Sequence, residues 1–433
     1  MTARAGIVVT GTEVLTGRIV DSNGPWLAER MLQLGIDVTH TVIVGDRPED
    51  LEKTLGWFSD LGVDMIVTTG GLGPTEDDLT LDVVARFQGL EMTLDPVLEA
   101  RVGEIQETAL RRWPHIDRQA LRAGQRKQAI VPNGATVLDP VGTAPGVIAT
   151  PADGNGPAIL VLPGPPAELR AMWEQAAHTE AFAKATSART PFSESVLRLY
   201  PMPESEIAAT LLAARERGVD VDALEITTCL RRGEVEVVTR FQPGQETLLT
   251  DFEDVVRDRH VEQLFSEDGE TIDSLVARMM VQQGLTVAVA ESCTGGLLAA
   301  RLTELPGASR YMAGGVVVYS NESKVKLAGV DPELIERHGA VSEAVAEALA
   351  RGAAHRFSAD IGIGVTGVAG PDGGSEDKPV GTVCLAVDRV GVGEPRTRRI
   401  HMPGDRSGIR DRSTTVALHL LRKVLEGAPD PAR

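Results

Sequence analysis

Short apolar runs rich in β-branched residues alternate along this chain with stretches whose apolar positions recur at helical spacing. In the first 170 residues the runs at 7–10, 36–44, 65–69, 147–150 and 158–162 read as strands. A helix is expected to open at Asn23-Gly24-Pro25 and to end at Gly35, and another spans 49–61. Residues 271–425 repeat the alternation, with strands at 285–290, 314–319, 361–365 and 381–387 and helices at 297–305, 343–357 and 410–425. Between them the order is strand 196–200, helix 204–215, paired strands 226–230 and 235–240, and a long helix 246–264. Strands that alternate with helices predict a largely parallel sheet covered on both faces. The fold class expected is α/β, with two three-layer α/β domains at 1–170 and 271–425 joined by a small α+β module at 171–265. An acidic run at 266–270 reads as a linker.

Bulk properties narrow this only slightly. At 433 residues two or three domains are expected, and 42% hydrophobic with 24% charged residues is the balance of a globular protein in water. Aromatics are only 3%, so the cores must be built from Val, Leu, Ile and Ala. A formal charge of −19 argues against a nucleic-acid partner, and the middle module lacks the Gly-x-x-Gly clamp of RNA-binding modules. A spacer or dimerisation role, giving a homodimer, is expected of it instead. Cys229, Cys293 and Cys384 are widely spaced and odd in number, which suits reduced thiols. The first residues run directly into a strand, and no apolar run reaches the ~18–20 residues of a membrane span. A cytoplasmic protein is expected.

Ligands of such sheets bind beyond the carboxyl ends of the strands. In the first domain three loops fall there: Gly11-Thr12-Glu13, the segment 21–23, and the run from Thr68 to Asp78. Gly70, Gly71 and Gly73 let backbone amides approach an anion, with Thr12, Asn23, Thr69 and Thr75 as further nucleotide-binding candidates. The neighbouring acids have the wrong sign for phosphate unless a divalent cation mediates, so Glu13, Asp21 and Asp77 are candidate ligands for Mg²⁺ or a similar ion. The alternative is that Asp77 and Asp78 only favour a helix start. Gly/Pro clusters at 140–146 and 162–166 could close the same pocket.

In the third domain Ala290-Glu291-Ser292-Cys293-Thr294-Gly295-Gly296 reads as strand, tight turn and helix start. The amides of Thr294, Gly295 and Gly296 could stabilise an oxyanion or hold a phosphate, or Ser292 and Thr294 could merely cap the helix. A serine nucleophile needs a base. No histidine falls in the Gly-rich loops, and Lys324, just past the strand end at Tyr319, is the candidate. Tyr319 could relay or orient the proton, and Cys293 is a rival nucleophile. Thr366, Gly367, Gly370, Arg406 and Arg410 complete the substrate-binding candidates, the arginines by their suitability for phosphate.

Three motifs, Ala290–Gly296, Tyr319-Ser320-Asn321-Glu322-Ser323-Lys324 and Gly367-Val368-Ala369-Gly370-Pro371-Asp372-Gly373-Gly374, resemble the C-terminal domain of the competence/damage-inducible CinA family. Thr68-Thr69-Gly70-Gly71-Leu72-Gly73-Pro74-Thr75, with Gly11-Thr12-Glu13 and Pro163-Gly164-Pro165-Pro166, resembles its N-terminal molybdopterin-binding-like domain. The middle module is similar to that family's KH-like domain. The resemblance implies a nicotinamide-nucleotide amidase, turning nicotinamide mononucleotide (NMN) into nicotinate mononucleotide and ammonia, with Ser292 as nucleophile supported by Lys324 and Tyr319. It also implies a metal-dependent ADP-ribose pyrophosphatase at the N-terminus, both activities serving pyridine-nucleotide salvage. Two other readings stand beside it: a pterin-binding first domain, and a competence-linked binding protein without activity.

Overall fold

The computed structural model describes residues 2–110 and 118–427. They divide into two compact units, one formed by residues up to Ser193 with Gln242–Gly244, the other by Glu194–Phe241 and the chain from Gln245 onward.

The first unit runs β1 (Arg4–Thr10), α1 (Thr12–Leu15), α2 (Asn23–Gln33), β2 (Asp37–Val44), α3 (Pro48–Asp60), β3 (Met65–Thr69), α4 (Thr80–Phe87), β4 (Met92–Leu94), α5 (Pro96–Leu110), α6 (Arg118–Gln128), β5 (Ile130–Pro132), β6 (Thr136–Leu138), β7 (Gly146–Ala149), β8 (Ala158–Leu162), α7 (Pro166–Ala177) and α8 (Glu180–Ala185). The main sheet has the order β2-β1-β3-β8-β7-β6. Its first four strands are parallel, β7 runs antiparallel to β8, and β6 runs antiparallel to β7. The central strands read as unbroken apolar runs because both faces are covered. Ile7, Val9, Met65 and Val67 pack against Leu27 and Met31 of α2 and against Leu169, Trp173 and Phe182. Val8, Ile66 and Ile159 pack the opposite way, against Leu51, Leu55 and Phe58 of α3 and Val84 of α4. The expected boundary at 170 falls inside α7, whose buried face belongs to this core, so the unit continues to Ser193.

The second unit begins with β9 (Ser193–Leu199), α9 (Ser205–Glu216), β10 (Glu225–Arg231), β11 (Glu234–Phe241), α10 (Glu246–Arg259) and β12 (Leu264–Ser266). They form the expected α+β module, with sheet order β10-β11-β9-β12. The helix expected to reach 264 stops at Arg259. There His260 is pinned by Thr210, 2.7 Å from its ring nitrogen, and residues 264–266 are drawn into antiparallel pairing with β9. Tertiary pairing thus overrides a helical pattern that carries no Gly or Pro stop, and the acidic run begins as a strand rather than a linker.

The rest of the second unit is α11 (Ile272–Gln283), β13 (Val287–Glu291), α12 (Leu297–Leu302), β14 (Met312–Val317), α13 (Asn321–Ala328), α14 (Pro332–His338), α15 (Glu343–Phe357), β15 (Ile361–Gly367), β16 (Thr382–Arg389), β17 (Arg396–His401) and α16 (Arg406–Leu425). The sheet order is β14-β13-β15-β16-β17, with β14, β13 and β15 parallel, β16 antiparallel to β15, and β17 antiparallel to β16. α11 and α16 cover one face, and α15 the other. A β-carbon on Gly362 or Gly364 would meet the carbonyls of Ala350 or Ala346 at 1.8 and 2.1 Å, which is how closely α15 lies on β15. β17, Arg-Thr-Arg-Arg-Ile-His, is an edge strand of charged residues and carries no alternating apolar signal. The module is fastened to α16 by a buried pair, His419 Nε2 to Glu234 Oε1 at 2.7 Å, with Tyr200 stacked on the imidazole. Burial holds His419 well below its usual pKa and pushes the Glu234 carboxyl up to about 7.

Candidate functional sites

In the second unit β13 ends at Glu291, and the chain turns through Ser292-Cys293-Thr294-Gly295-Gly296 into α12. On the neighbouring strand, Ser320 caps α13 in a capping box with Ser323, which starts that helix immediately after the β14 end and puts Lys324 in its first turns. The two loops bring Lys324 Nζ to 3.1 Å from Ser292 Oγ. Both side chains are buried, at 2% and 7% exposure. Nζ also reaches the carbonyls of Val318 at 3.0 Å and Tyr319 at 3.4 Å. Among the described residues no carboxylate pairs with it, and burial lowers its pKa from the usual 10.5. A neutral amine has two N–H groups and one lone pair. With the two carbonyls taking two hydrogens, the remaining position on Nζ faces Ser292, which is where a neutral amine would hold its lone pair.

The pair borders a cavity of about 290 Å³ whose walls include Asn321, Thr366, Gly367, Gly370, Asp372 and Arg406. Thr366 Oγ1 donates to Ala340 O at 2.8 Å, which ties the β15 end to the cavity wall. Arg406 spans the mouth, donating from Nη1 to Gly370 O at 2.8 Å and from Nη2 to the Tyr319 hydroxyl at 3.0 Å. Tyr319 also borders the cavity, and its hydroxyl meets Arg406. Its ring is 62% exposed and its hydroxyl is held by Arg406, while its contribution to the serine–lysine pair is a backbone carbonyl.

Thr294, Gly295, Gly296 and Arg410 do not border the cavity. The Gly295 amide donates to Ser292 O at 3.1 Å and the Gly296 amide to Glu291 Oε2 at 3.0 Å, so two of the three expected oxyanion donors are already engaged. Thr294 is fully buried, and Arg410 donates to the carbonyls of Cys293 and Thr294 rather than facing substrate. Cys293 is buried beneath Gly367, and burial pushes its thiol up to about 12. Asn321 and Asp372 went unassigned in the sequence although both lie inside the quoted motifs, next to residues that were assigned.

In the first unit a cavity of about 370 Å³ opens at the carboxyl ends of β1, β3 and β8. Gly70, Gly71 and Gly73 line it as expected. Gly70 and Gly71 have φ of 105° and 64°, and a β-carbon on either would come within 2.4 or 2.1 Å of Thr10 O or Thr80 Oγ1. The other candidates hold loops in place. Asn23 Nδ2 donates to Thr69 Oγ1 at 3.0 Å and to Gly164 O at 2.7 Å, and Thr69 Oγ1 donates to Pro163 O at 3.0 Å. Thr12 exchanges hydrogen bonds with Asp46, and Thr75 donates to Asp77 and Asp78. Asp46, Gln128, Thr143 and Glu168 also border the cavity. Asp46 follows the end of β2, a position at which its carboxylate could have been picked out.

The expected metal set does not assemble. Asp21 Oδ1 accepts from the amides of Asn23 and Gly24, capping the start of α2, and Asp21 does not border the cavity. Glu13, Asp46, Asp77 and Asp78 do border it, yet among the described residues no three His, Cys, Asp or Glu side chains gather as a cation site. Asp77 is held below its ordinary pKa by the Thr75 hydroxyl. The donors present do not form a cage. Among the described residues, no helix is long and apolar enough to cross a membrane.

Together the two units define a protein with a carboxylate-rimmed α/β pocket and a separate α/β pocket built on a buried serine–lysine pair. Residues 6–182 match the family described as "Probable molybdopterin binding domain", and residues 269–425 match "CinA C-terminal domain". A CinA-like protein of Mycolicibacterium vanbaalenii is 54% identical across 99% of this chain and 100% of its own, and that of Mycobacterium tuberculosis 52% across 99% of each. The chain belongs to the CinA family. Among solved structures, a CinA superfamily protein of Klebsiella pneumoniae is 34% identical over 36% of this chain and 96% of its own, with a TM-score of 0.35.

Proposed function

We propose that the second unit is an amidohydrolase that converts NMN and water into nicotinate mononucleotide and ammonia. The observation that carries this reading is the buried contact of 3.1 Å between Ser292 Oγ and the Lys324 amine, which has no carboxylate partner among the described residues. Neutral Lys324 accepts the Ser292 proton as Oγ bonds to the carboxamide carbon, giving a tetrahedral intermediate. Lys324 then returns the proton to the departing nitrogen, the C–N bond breaks, and ammonia leaves an acyl-serine. Water attacks the ester, Lys324 takes its proton and passes it to Ser292 Oγ, and the acid is released. With Gly295 and Gly296 engaged elsewhere, the side-chain amide of Asn321 on the cavity wall is a donor for the oxyanion, and Arg406 at the mouth suits the phosphate.

The test is ammonia release from NMN by wild type and Ser292→Ala. Activity that falls at least ~10²-fold in the variant supports the reading, because a nucleophile's loss costs that much or more. An inactive wild type overturns it.

For the first unit, three glycines on the wall of a pocket at the sheet's carboxyl end support binding of a nucleoside diphosphate such as ADP-ribose. Calorimetry with ADP-ribose, with and without Mg²⁺, tests it. Binding only when Mg²⁺ is present would mean that Glu13, Asp46 and Asp77 move together around an ion and the ligand's phosphates.

A further inference from the structure

The turn that presents Ser292 is gripped from two sides by charged residues that do not border the cavity. Glu291 is 1% exposed. Its Oε2 accepts from the amides of Gly296 and Leu298, both at 3.0 Å, and its Oε1 from the amide of Ala299 at 2.8 Å. On the opposite side Arg410, from the first turns of α16, donates through Nε to Cys293 O at 3.1 Å and through Nη2 to Thr294 O at 2.9 Å. Gly295 passes beneath the guanidinium in a left-handed conformation, φ 61°, and a β-carbon there would lie 3.2 Å from Nη2.

We infer that Glu291 and Arg410 are paired positioning residues: the carboxylate holds the turn by its amides and the guanidinium by its carbonyls, fixing Ser292 against Lys324. The base needs no such help from this turn, because Lys324 is held by the carbonyls of Val318 and Tyr319 on a different loop. The Ser292 amide is tied to Val365 O of β15 at 2.9 Å, so what the clamp sets is the course of the turn beyond it and, with that, the approach of Ser292 to a base held elsewhere. A displacement of about 1 Å between reacting groups costs on the order of 10²-fold in rate. The same geometry fixes where the substrate's phosphate does not go. A buried carboxylate already takes the α12 amides and would repel a second anion, and both Arg410 nitrogens described above face carbonyls. Phosphate recognition falls to Arg406. This inference rests on the amidase reading, deepens it, and reverses the expectation that Arg410 binds phosphate.

The experiment uses the full chain with Glu291→Ala, Glu291→Gln, Arg410→Ala and Arg410→Lys, each first checked for wild-type circular dichroism. Two quantities are measured: kcat and KM for NMN, and the rate at which Ser292 is labelled by a fluorophosphonate, which needs a poised serine but no NMN. The clamp predicts that both alanine variants lose about 10²-fold in kcat with KM within about twofold, and that labelling slows in parallel. Glu291→Gln keeps an oxygen for the amides and Arg410→Lys keeps a cation, so each recovers part of the loss. If Glu291→Ala misfolds, the Gln and Lys variants decide the question. A tenfold rise in KM with kcat preserved in Arg410→Ala would make Arg410 a phosphate ligand and overturn the inference. Folded alanine variants with wild-type kcat and labelling would overturn it too. If wild type releases no ammonia, the amidase reading fails, and the labelling rates still judge the clamp.

Discussion

The cavity of the first unit and that of the second both open at strand carboxyl ends, yet they divide their side chains in opposite ways. In the first, uncharged polar groups hold the loops: Asn23 and Thr69 tie the Pro163–Gly164 turn to the sheet, and Thr75 ties the Gly-rich loop to itself. The charges at the cavity are all carboxylates, Glu13, Asp46, Asp77, Asp78 and Glu168, and Asp46, Asp77 and Asp78 also accept from Thr12 or Thr75. In the second, charges hold the nucleophile's turn, with Glu291 and Arg410 gripping it, and the cavity carries the Ser292 hydroxyl and the Lys324 amine, with Arg406 and Asp372 on its walls. The division follows from the chemistry each site suits. A pocket for a phosphate-rich ligand works through charge and tolerates solvent. A serine–lysine pair works only if the lysine is neutral, which requires burial and the absence of a carboxylate partner.

The sharpest way to break this comparison is to remove the lysine base. Lys324→Ala should lower ammonia release from NMN by about 10²- to 10⁴-fold, the range for loss of a general base, while leaving ADP-ribose binding at the first unit unchanged. A loss under tenfold would mean that Ser292 is activated by something else.

The next effect is a pH dependence with a definite sign. Burial lowers the Lys324 pKa from 10.5, and only the neutral amine can accept the serine proton. The fraction of neutral lysine, and with it kcat/KM, should rise about tenfold per pH unit below that lowered pKa and level off above it. A rate that falls as pH rises through this range would contradict a neutral lysine base.

Arg406→Ala should act on binding rather than chemistry. Removing a charge-assisted contact to phosphate should raise KM for NMN by about tenfold with kcat within a few-fold. It also frees the Tyr319 hydroxyl. A matching KM rise in Tyr319→Phe would assign the effect to their bridge instead of to the phosphate.

These sites were unequally legible in the sequence. Ser292 and Lys324 could be found because a hydroxyl and an amine each fall just past an apolar, β-branched run, and strand order then brings the two ends together. The three glycines of the first cavity were legible for a similar reason, since tight turns and close approach demand glycine. What periodicity cannot convey is the direction of a side chain within a loop. Asp21 and Asp77 have the same chemistry and comparable loop positions, yet Asp21 turns inward to cap α2 while Asp77 reaches the cavity. Arg406 and Arg410 lie one helical turn apart on α16, and only Arg406 faces the cavity. In the fold, β12 and β17 escaped notice because one is three residues at the end of a helical pattern and the other is an edge rich in arginine.

A smaller effect tests the loop-holding role of the uncharged residues. Asn23→Ala removes an amide that bridges Thr69 and Gly164 in a buried setting, and should destabilise the first unit by about 1–3 kcal/mol. All four tryptophans of the chain lie between Trp26 and Trp173. Tryptophan fluorescence during denaturant unfolding therefore follows the first unit selectively, and its transition should move to lower denaturant. An unmoved transition accompanied by lost ADP-ribose binding would instead make Asn23 a ligand.

The smallest expected effect concerns the residue next to the nucleophile. Cys293 is intrinsically the stronger nucleophile, but it is buried, and its thiol is pushed up to about 12. At neutral pH only about one molecule in 10⁵ would carry the reactive thiolate. Ser292, by contrast, has a base 3.1 Å away. Cys293→Ala should leave ammonia release within about threefold of wild type, the small loss coming from packing against Gly367. If instead Cys293→Ala abolishes the activity while Ser292→Ala retains it, the nucleophile is the thiol, and the hydroxyl at the cavity is only its neighbour.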